Sequence, residues 1–140
     1  MEELSAQDRE VVEAARKATA NSYAVYSGFN VGAAVRLAGG TIVAGTNQEN
    51  AAYPSGLCAE RTTLFWANSQ YPDKAVETLA IAARTAQGEQ AHPITPCGAC
   101  RQVMVELMSK DGKVYIGNDQ GIIESNVSEL MPLAFDKESL

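Results

Sequence analysis

The sequence predicts an α/β protein: a three-layer α-β-α sandwich around a mixed sheet of about five strands, with residues 1–140 as a single domain. Three observations lead there. Periodicity and turn signals give the order α-β-β-α-β-α-β-β-α, which implies a mixed sheet covered by helices. Residues 78–84, TLAIAAR, form a short apolar run suited to a central strand buried on both faces. Finally, 140 residues that are 46% apolar can bury one continuous core without disulfide staples.

The first helix is SAQDREVVEAARKATANSY, with Ser5 placed to cap it and Asp8 three residues on. FNVGAAVRLAGGTIVAGTN reads as a β-hairpin: Val31 to Leu37 is one arm, Gly39-Gly40 the turn, and Thr41 to Gly45 the return. NQENAAYPSGL has no sustained period and is expected to be an ordered loop. CAERTTLFWANSQ has helical composition, and Tyr71-Pro72-Asp73 stops it. After the strand at 78–84, AQGEQAHPITP is a loop stiffened by Pro93 and Pro96. CGACRQVMVELMSK is expected to be a helix closed by Asp111-Gly112. KVYIG and GIIES are two strands around the turn Asn118-Asp119-Gln120-Gly121, and VSELMP is a short helical piece before the tail. Trp66, Met104 and Met108 are expected to pack the core.

Eleven basic against seventeen acidic residues give a net charge of −6. Such a surface repels phosphate backbones, which disfavours nucleic acid and anionic membranes as partners. The segment MEELSAQDRE has no apolar core of a leader, and no apolar run approaches the roughly 18 residues of a membrane span. The expectation is a soluble, cytoplasmic protein. Three cysteines cannot all pair within one chain, so metal or redox chemistry gains weight.

All three lie in two short segments, CAER (58–61) and PCGACRQ (96–102), each opening a predicted helix. Unpaired amides and the dipole at a helix N-terminus favour thiolate over thiol. Cys97 and Cys100, at i and i+3, turn their sulfurs to one face. Cys58 joins them if the two helices start side by side, as parallel crossovers around the strand at 78–84 would arrange. Three convergent thiolates make a zinc site with one ligand missing, and three protein ligands with an open position are the catalytic form. His92, in AHPITP, is the sole imidazole that could close the site. The stretch between it and Cys97 contains two prolines that hold the chain extended, so His92 is expected to be a loop residue and the fourth position open. A bare C-x-x-C is shared with redox pairs and structural zinc sites.

The third cysteine, however, brings a carboxylate. Glu60 is two residues beyond Cys58, so its direction on a helix differs by about 200°, which discourages shared ligation. From the first turn it can lean across the pocket toward an activated water and shuttle protons; the alternative is a solvated charge at a helix start. Arg61 and Arg101 follow the cysteines closely. Their guanidinium groups, if bonded to the sulfurs, would drain the excess negative charge of a three-thiolate site; otherwise they are surface arginines.

With FNVGAA and NQENAAY upstream, CAER and PCGACRQ resemble the small tetrameric cytidine deaminases, over nearly the whole chain from SYAVYSGF to LMPLAF. The resemblance implies one Zn²⁺ per subunit on Cys58, Cys97 and Cys100, with Glu60 as the catalytic proton carrier. It implies that cytidine and 2′-deoxycytidine are hydrolysed to uridine and 2′-deoxyuridine plus ammonia. The Ala59 N–H would hold the pyrimidine O2, and Phe29 would pack on the base. Asn47 and Glu49 would bind the ribose 3′-hydroxyl; the alternative for Asn47 and Asn50 is a turn residue. An ionised Glu49 only accepts, so it suits a hydroxyl and repels a phosphate. Ala51 and Tyr53 match positions near the sugar's 5′ end. Phe135 matches a residue lent to a neighbouring active site in a homotetramer; the alternative is packing of the tail.

Val25 stands where the family usually has proline, and Leu133 where many members have a small residue. The other readings are a deaminase of another aminated nucleoside or base, and a non-catalytic zinc-stabilised binding module with a closed site.

Overall fold

The computed structural model describes residues 4–89, 94–118 and 121–140. Helix α1 (Ala6–Ala18) starts at Ser5, whose Oγ accepts from the Asp8 amide at 3.1 Å, and runs into a 3-10 turn at Thr19–Asn21. Strands β1 (Asn30–Leu37) and β2 (Ile42–Thr46) form the expected hairpin, and Gly39 and Gly40, at φ 98 and 102°, take the turn that residues with a Cβ resist. Helix α2 (Ala59–Gln70) leads to β3 (Val76–Thr85), which folds back briefly through β4 (Gly88–Glu89). Helix α3 (Gly98–Leu107), β5 (Met108–Asn118), β6 (Gly121–Asn126) and α4 (Val127–Leu130) follow.

The sheet order is β2-β1-β3-β5-β6, with the two-residue β4 attached to β3. Among these six strands β3 and β5 pair in parallel, and the other strand pairings are antiparallel. Since β2 and β3 both run against β1, the α2 and α3 crossovers each return the chain to the same sheet direction. The two helices therefore begin at the same edge of the molecule, which is what the cysteines require.

Alternation along β3 separates two cores. Leu79 and Ile81 join Val35, Leu64, Met104 and Val114 beneath α2, α3 and α4. Ala80 and Ala82 point the other way and, with Ala34 and Tyr115, receive Val11, Val12 and Ala15 of α1. The three-layer α-β-α sandwich is thus present, and β3 is buried along most of its length.

Two expectations need correction. Trp66 is not a core residue: it lies 56% exposed on the outer face of α2, while Leu64 and Ala67 take the inner face. Helix α3 also ends earlier than expected, because Met108 turns extended and pairs with Val76 at the start of β5. Thr78 then pairs with Lys113, so residues 109–112 bulge out of the ladder. The Asp111-Gly112 signal marks that bulge rather than a helix end. The segments around His92 and the turn at 119–120 lie outside the described residues.

Candidate active site

Cys58 and Cys97 are the N-caps of α2 and α3, and neither side chain accepts a capping bond from its helix's backbone amides. Both sulfurs instead face each other, 3.8 Å apart, and Cys97 lies 3.3 Å from Cys100 in the first turn of α3. All three sulfurs lie within 4.8 Å of one another. Tetrahedral zinc with Zn–S of about 2.3 Å requires sulfurs about 3.8 Å apart, so the spacing and the donor set both fit that ion. Among the described residues no further Cys, His, Asp or Glu belongs to this cluster.

The electrostatics suit a thiolate at Cys58. A hydrogen bond from Cys100, working against burial and supported by Arg61 and Cys97, lowers the Cys58 thiol to about 5. The same contact, together with burial, raises Cys100. Arg61 Nη2 lies 3.6 Å from the Cys58 sulfur, as expected, and its buried Nε is without a partner among the described atoms. Arg101 departs from expectation. Its Nε donates to the Pro96 carbonyl at 2.8 Å and its Nη1 to the Leu130 carbonyl at 2.9 Å. It therefore ties α4 to the residue that precedes Cys97 instead of touching the sulfurs.

Glu60, the second residue of α2, is 5% exposed. Burial, reinforced by the charge on Cys58, pushes its carboxyl up even though the Cys100 thiol hydrogen-bonds to it. A carboxyl held out of water binds its proton more tightly than one in solvent.

A cleft of about 630 Å³ opens over these groups. Cys58, Ala59, Glu60, Arg61 and Cys97 form one end, and Phe29, Asn47, Glu49 and Tyr53 reach it from the hairpin and the loop after β2. That loop is ordered by backbone pairing: Tyr23 and Glu49 amides donate across to Asn47 and Tyr23 carbonyls, and Gln48 exchanges both bonds with Leu57. Asn47 bridges to β1, accepting from the Val31 amide at 3.0 Å and donating to the Phe29 carbonyl at 2.9 Å. The Glu49 carboxylate accepts from the Tyr26 and Ser27 amides and from the Ser27 hydroxyl. That hydroxyl bond, acting against slight desolvation and joined by the two amides, holds Glu49 below the usual carboxylate range. Ala51, Arg101 and Phe135 are not among the cleft-lining residues, and Cys100 sits fully buried behind them.

Sequence reasoning gave no role to Tyr26, Ser27, Ile81 and Thr95, which also line the cleft. For Ile81 the signal was available, since strand alternation points it to the same side as Leu79. Tyr26 and Ser27 lie three and two residues before Phe29, but only the fold brings Glu49 onto them.

Residues 5–118 match the family described as the cytidine and deoxycytidylate deaminase zinc-binding region. The chain belongs to that family. It is 46% identical to a cytidine deaminase of Halalkalibacterium halodurans over 95% of this chain and 98% of the relative. A cytidine deaminase of Sporosarcina psychrophila is 43% identical over 93% and 92% of the two chains. In three dimensions it resembles the crystal structure of cytidine deaminase from Burkholderia pseudomallei, with a TM-score of 0.79 and 40% identity over 91% of this chain and 98% of that one. This deaminase-family chain is an enzyme with zinc as its cofactor, and the three-sulfur cluster is where the described residues can hold that ion.

Proposed function

We propose that the protein hydrolyses cytidine and 2′-deoxycytidine, consuming one water and releasing uridine or 2′-deoxyuridine and ammonia. The observation that carries this reading is the buried Glu60 carboxyl, held next to three convergent sulfurs at the floor of an open cleft. Zinc held by Cys58, Cys97 and Cys100 would supply Lewis acidity that activates a water for attack on C4.

The remaining work falls to the chain. Glu60 takes the proton given up by the attacking water, delivers one to N3 and later carries one to the departing amine. Burial favours its protonated form, which suits a group that holds a proton between transfers. Ala59, the first residue of α2, has an amide with no intrahelical acceptor, available to the pyrimidine O2. Phe29 packs on the base. Asn47 and Glu49 take the sugar 3′-hydroxyl, and Tyr53 and Ala51 stand toward the 5′ end. Arg61 offsets the charge of the thiolates. Arg101 serves the site at one remove, by fixing the loop before Cys97. Phe135, which does not line its own cleft, is assigned to a neighbouring site in a homotetramer. No helix among the described residues is long and apolar enough to cross a membrane, and we place the protein in the cytoplasm.

Glu60→Gln tests the reading. Zinc content by atomic absorption should match the unsubstituted protein, while the ultraviolet change from cytidine to uridine slows by at least about 100-fold. Turnover at the original rate would refute the role of Glu60. Initial rates on cytidine, cytosine and CMP separate the nucleoside reading from a base or nucleotide substrate, with cytidine expected to be fastest.

A further inference from the structure

Glu49 is a carboxylate with two oxygens and about four acceptor positions. Oε1 accepts from the Tyr26 amide at 2.9 Å and the Ser27 amide at 3.1 Å, which uses both of its lone pairs. Oε2 accepts from the Ser27 hydroxyl, which leaves one acceptor position on that oxygen. The same Ser27 Oγ accepts from the Phe29 amide at 3.0 Å. One hydroxyl thus lies between the carboxylate and the backbone of the residue assigned to the base. Gly28, at φ 70°, is what folds the chain tightly enough for this, and its amide closes the turn on Ala24.

We propose that Ser27 is a positioning residue for sugar recognition: it orients Glu49 so that a single oxygen position faces the cleft, and it couples that carboxylate to Phe29. The inference rests on the cytidine reading above. Without the Ser27 hydroxyl, the Glu49 carboxylate would keep both amide bonds on Oε1 but could swing Oε2, and Phe29 would lose the acceptor for its amide. Glu49 would then present two open positions in place of one, neither held in direction. The consequence is a loss of binding rather than of chemistry, because Glu60 and the sulfurs lie on other elements. Ser27 is exposed and in a turn, so its replacement by alanine leaves both cores intact.

The experiment compares unsubstituted protein, Ser27→Ala and Ser27→Thr, all zinc-loaded, on cytidine and on 3′-deoxycytidine. Equilibrium affinity for the product uridine is measured alongside. Ser27→Ala should raise KM for cytidine and weaken uridine binding about tenfold, the loss of one hydrogen bond to a charged group. Its kcat should stay within about threefold. Ser27→Thr, which keeps the hydroxyl, should restore most of the affinity. The penalty for removing the 3′-hydroxyl from the substrate should be smaller in Ser27→Ala than in the unsubstituted protein. Unchanged KM and uridine affinity in Ser27→Ala, or an equal 3′-hydroxyl penalty in both, would overturn the role of Ser27 alone. If Ser27→Ala fails to fold, Ser27→Thr decides: near-normal uridine affinity supports the role, and a tenfold loss with the hydroxyl retained overturns it. An unsubstituted protein that neither binds nor deaminates cytidine overturns the deaminase reading, and the role of Ser27 with it.

Discussion

The clearest contrast among single residues is between Glu60 and Asp8, two acids in the first turns of their helices with opposite surroundings. Burial raises Glu60. Asp8 is also buried, at 6% exposure, and burial pushes it up too, but hydrogen bonds from Tyr115 and Arg36, with the charges of Arg36 and Lys113, outweigh that and hold it below its ordinary value. The bonds are short: Tyr115 Oη to Oδ2 is 2.7 Å, and Arg36 Nη1 to Oδ1 is 2.9 Å. Arg36 in turn reaches the Thr78 hydroxyl at 3.0 Å, so Asp8 pins α1 to three strands. A depressed folded-state pKa stabilises above the unfolded pKa, and that stability disappears as pH falls through the folded value. Asp8→Asn should therefore cost about 3 kcal/mol at pH 7, because the mostly buried Arg36 keeps only the exposed Glu77 at 4.0 Å as an anionic partner. Urea denaturation should show the unsubstituted protein weakening on acidification from about pH 5, with Asp8→Asn flatter over the same range. Parallel pH curves would refute this account. The sequence placed Asp8 only in a helix start, because its partners lie 28 and 107 positions away. The cysteines and Glu60 were readable, because residue type and position at a helix start together define their chemistry. Arg101 was not, since a long side chain takes whichever acceptors the fold brings near.

At the level of elements, α1 and α2 approach the sheet at points where a Cβ has no room. A Cβ at Gly32 would lie 2.1 Å from the Ala15 carbonyl oxygen and 2.9 Å from the Thr19 amide, both backbone atoms that cannot rotate away. Gly32→Ala should lift the end of α1 from β1 and cost about 3 kcal/mol in a urea titration. Gly121→Ala is the matched control: no heavy atom lies within 4 Å of its added Cβ, and its stability should stay within about 0.5 kcal/mol. Equal stability of the two variants would show that the close approach does not matter. The order of elements was legible because helix period, strand alternation and turn residues agree with one another along the chain. The α3–β5 boundary was not. Met108 suits either state, and its strand conformation is decided by pairing with Val76, more than thirty residues upstream. Trp66 was misplaced because α2 offers the core a narrow stripe that Leu64 and Ala67 already fill.

Considered as a whole, the described residues leave large apolar side chains uncovered in several places, among them Val25 and Tyr26 just before Phe29, Phe65 and Trp66 on α2, and Leu133 and Phe135 in the tail. An isolated small domain seldom exposes so many, and association is the ordinary way to cover them. Helix composition alone could not reveal this, because a residue that faces a second copy looks like a core residue in sequence. The position of Phe135 points the same way: it is 60% exposed, its carbonyl accepts from Gln102, and it is not among the residues that line its own cleft. Sedimentation velocity should accordingly give a species near four times the 14.9 kDa chain mass. Trp66→Glu adds a charge where the single chain has open solvent, so the fold of one subunit should hold to within about 0.5 kcal/mol. At a subunit contact the same charge would be desolvated, and the assembly should dissociate at micromolar concentration. If each site also draws on a neighbour's Phe135, KM for cytidine should rise as the assembly comes apart. A single-chain species of full activity, in either the unsubstituted protein or Trp66→Glu, would exclude a shared site.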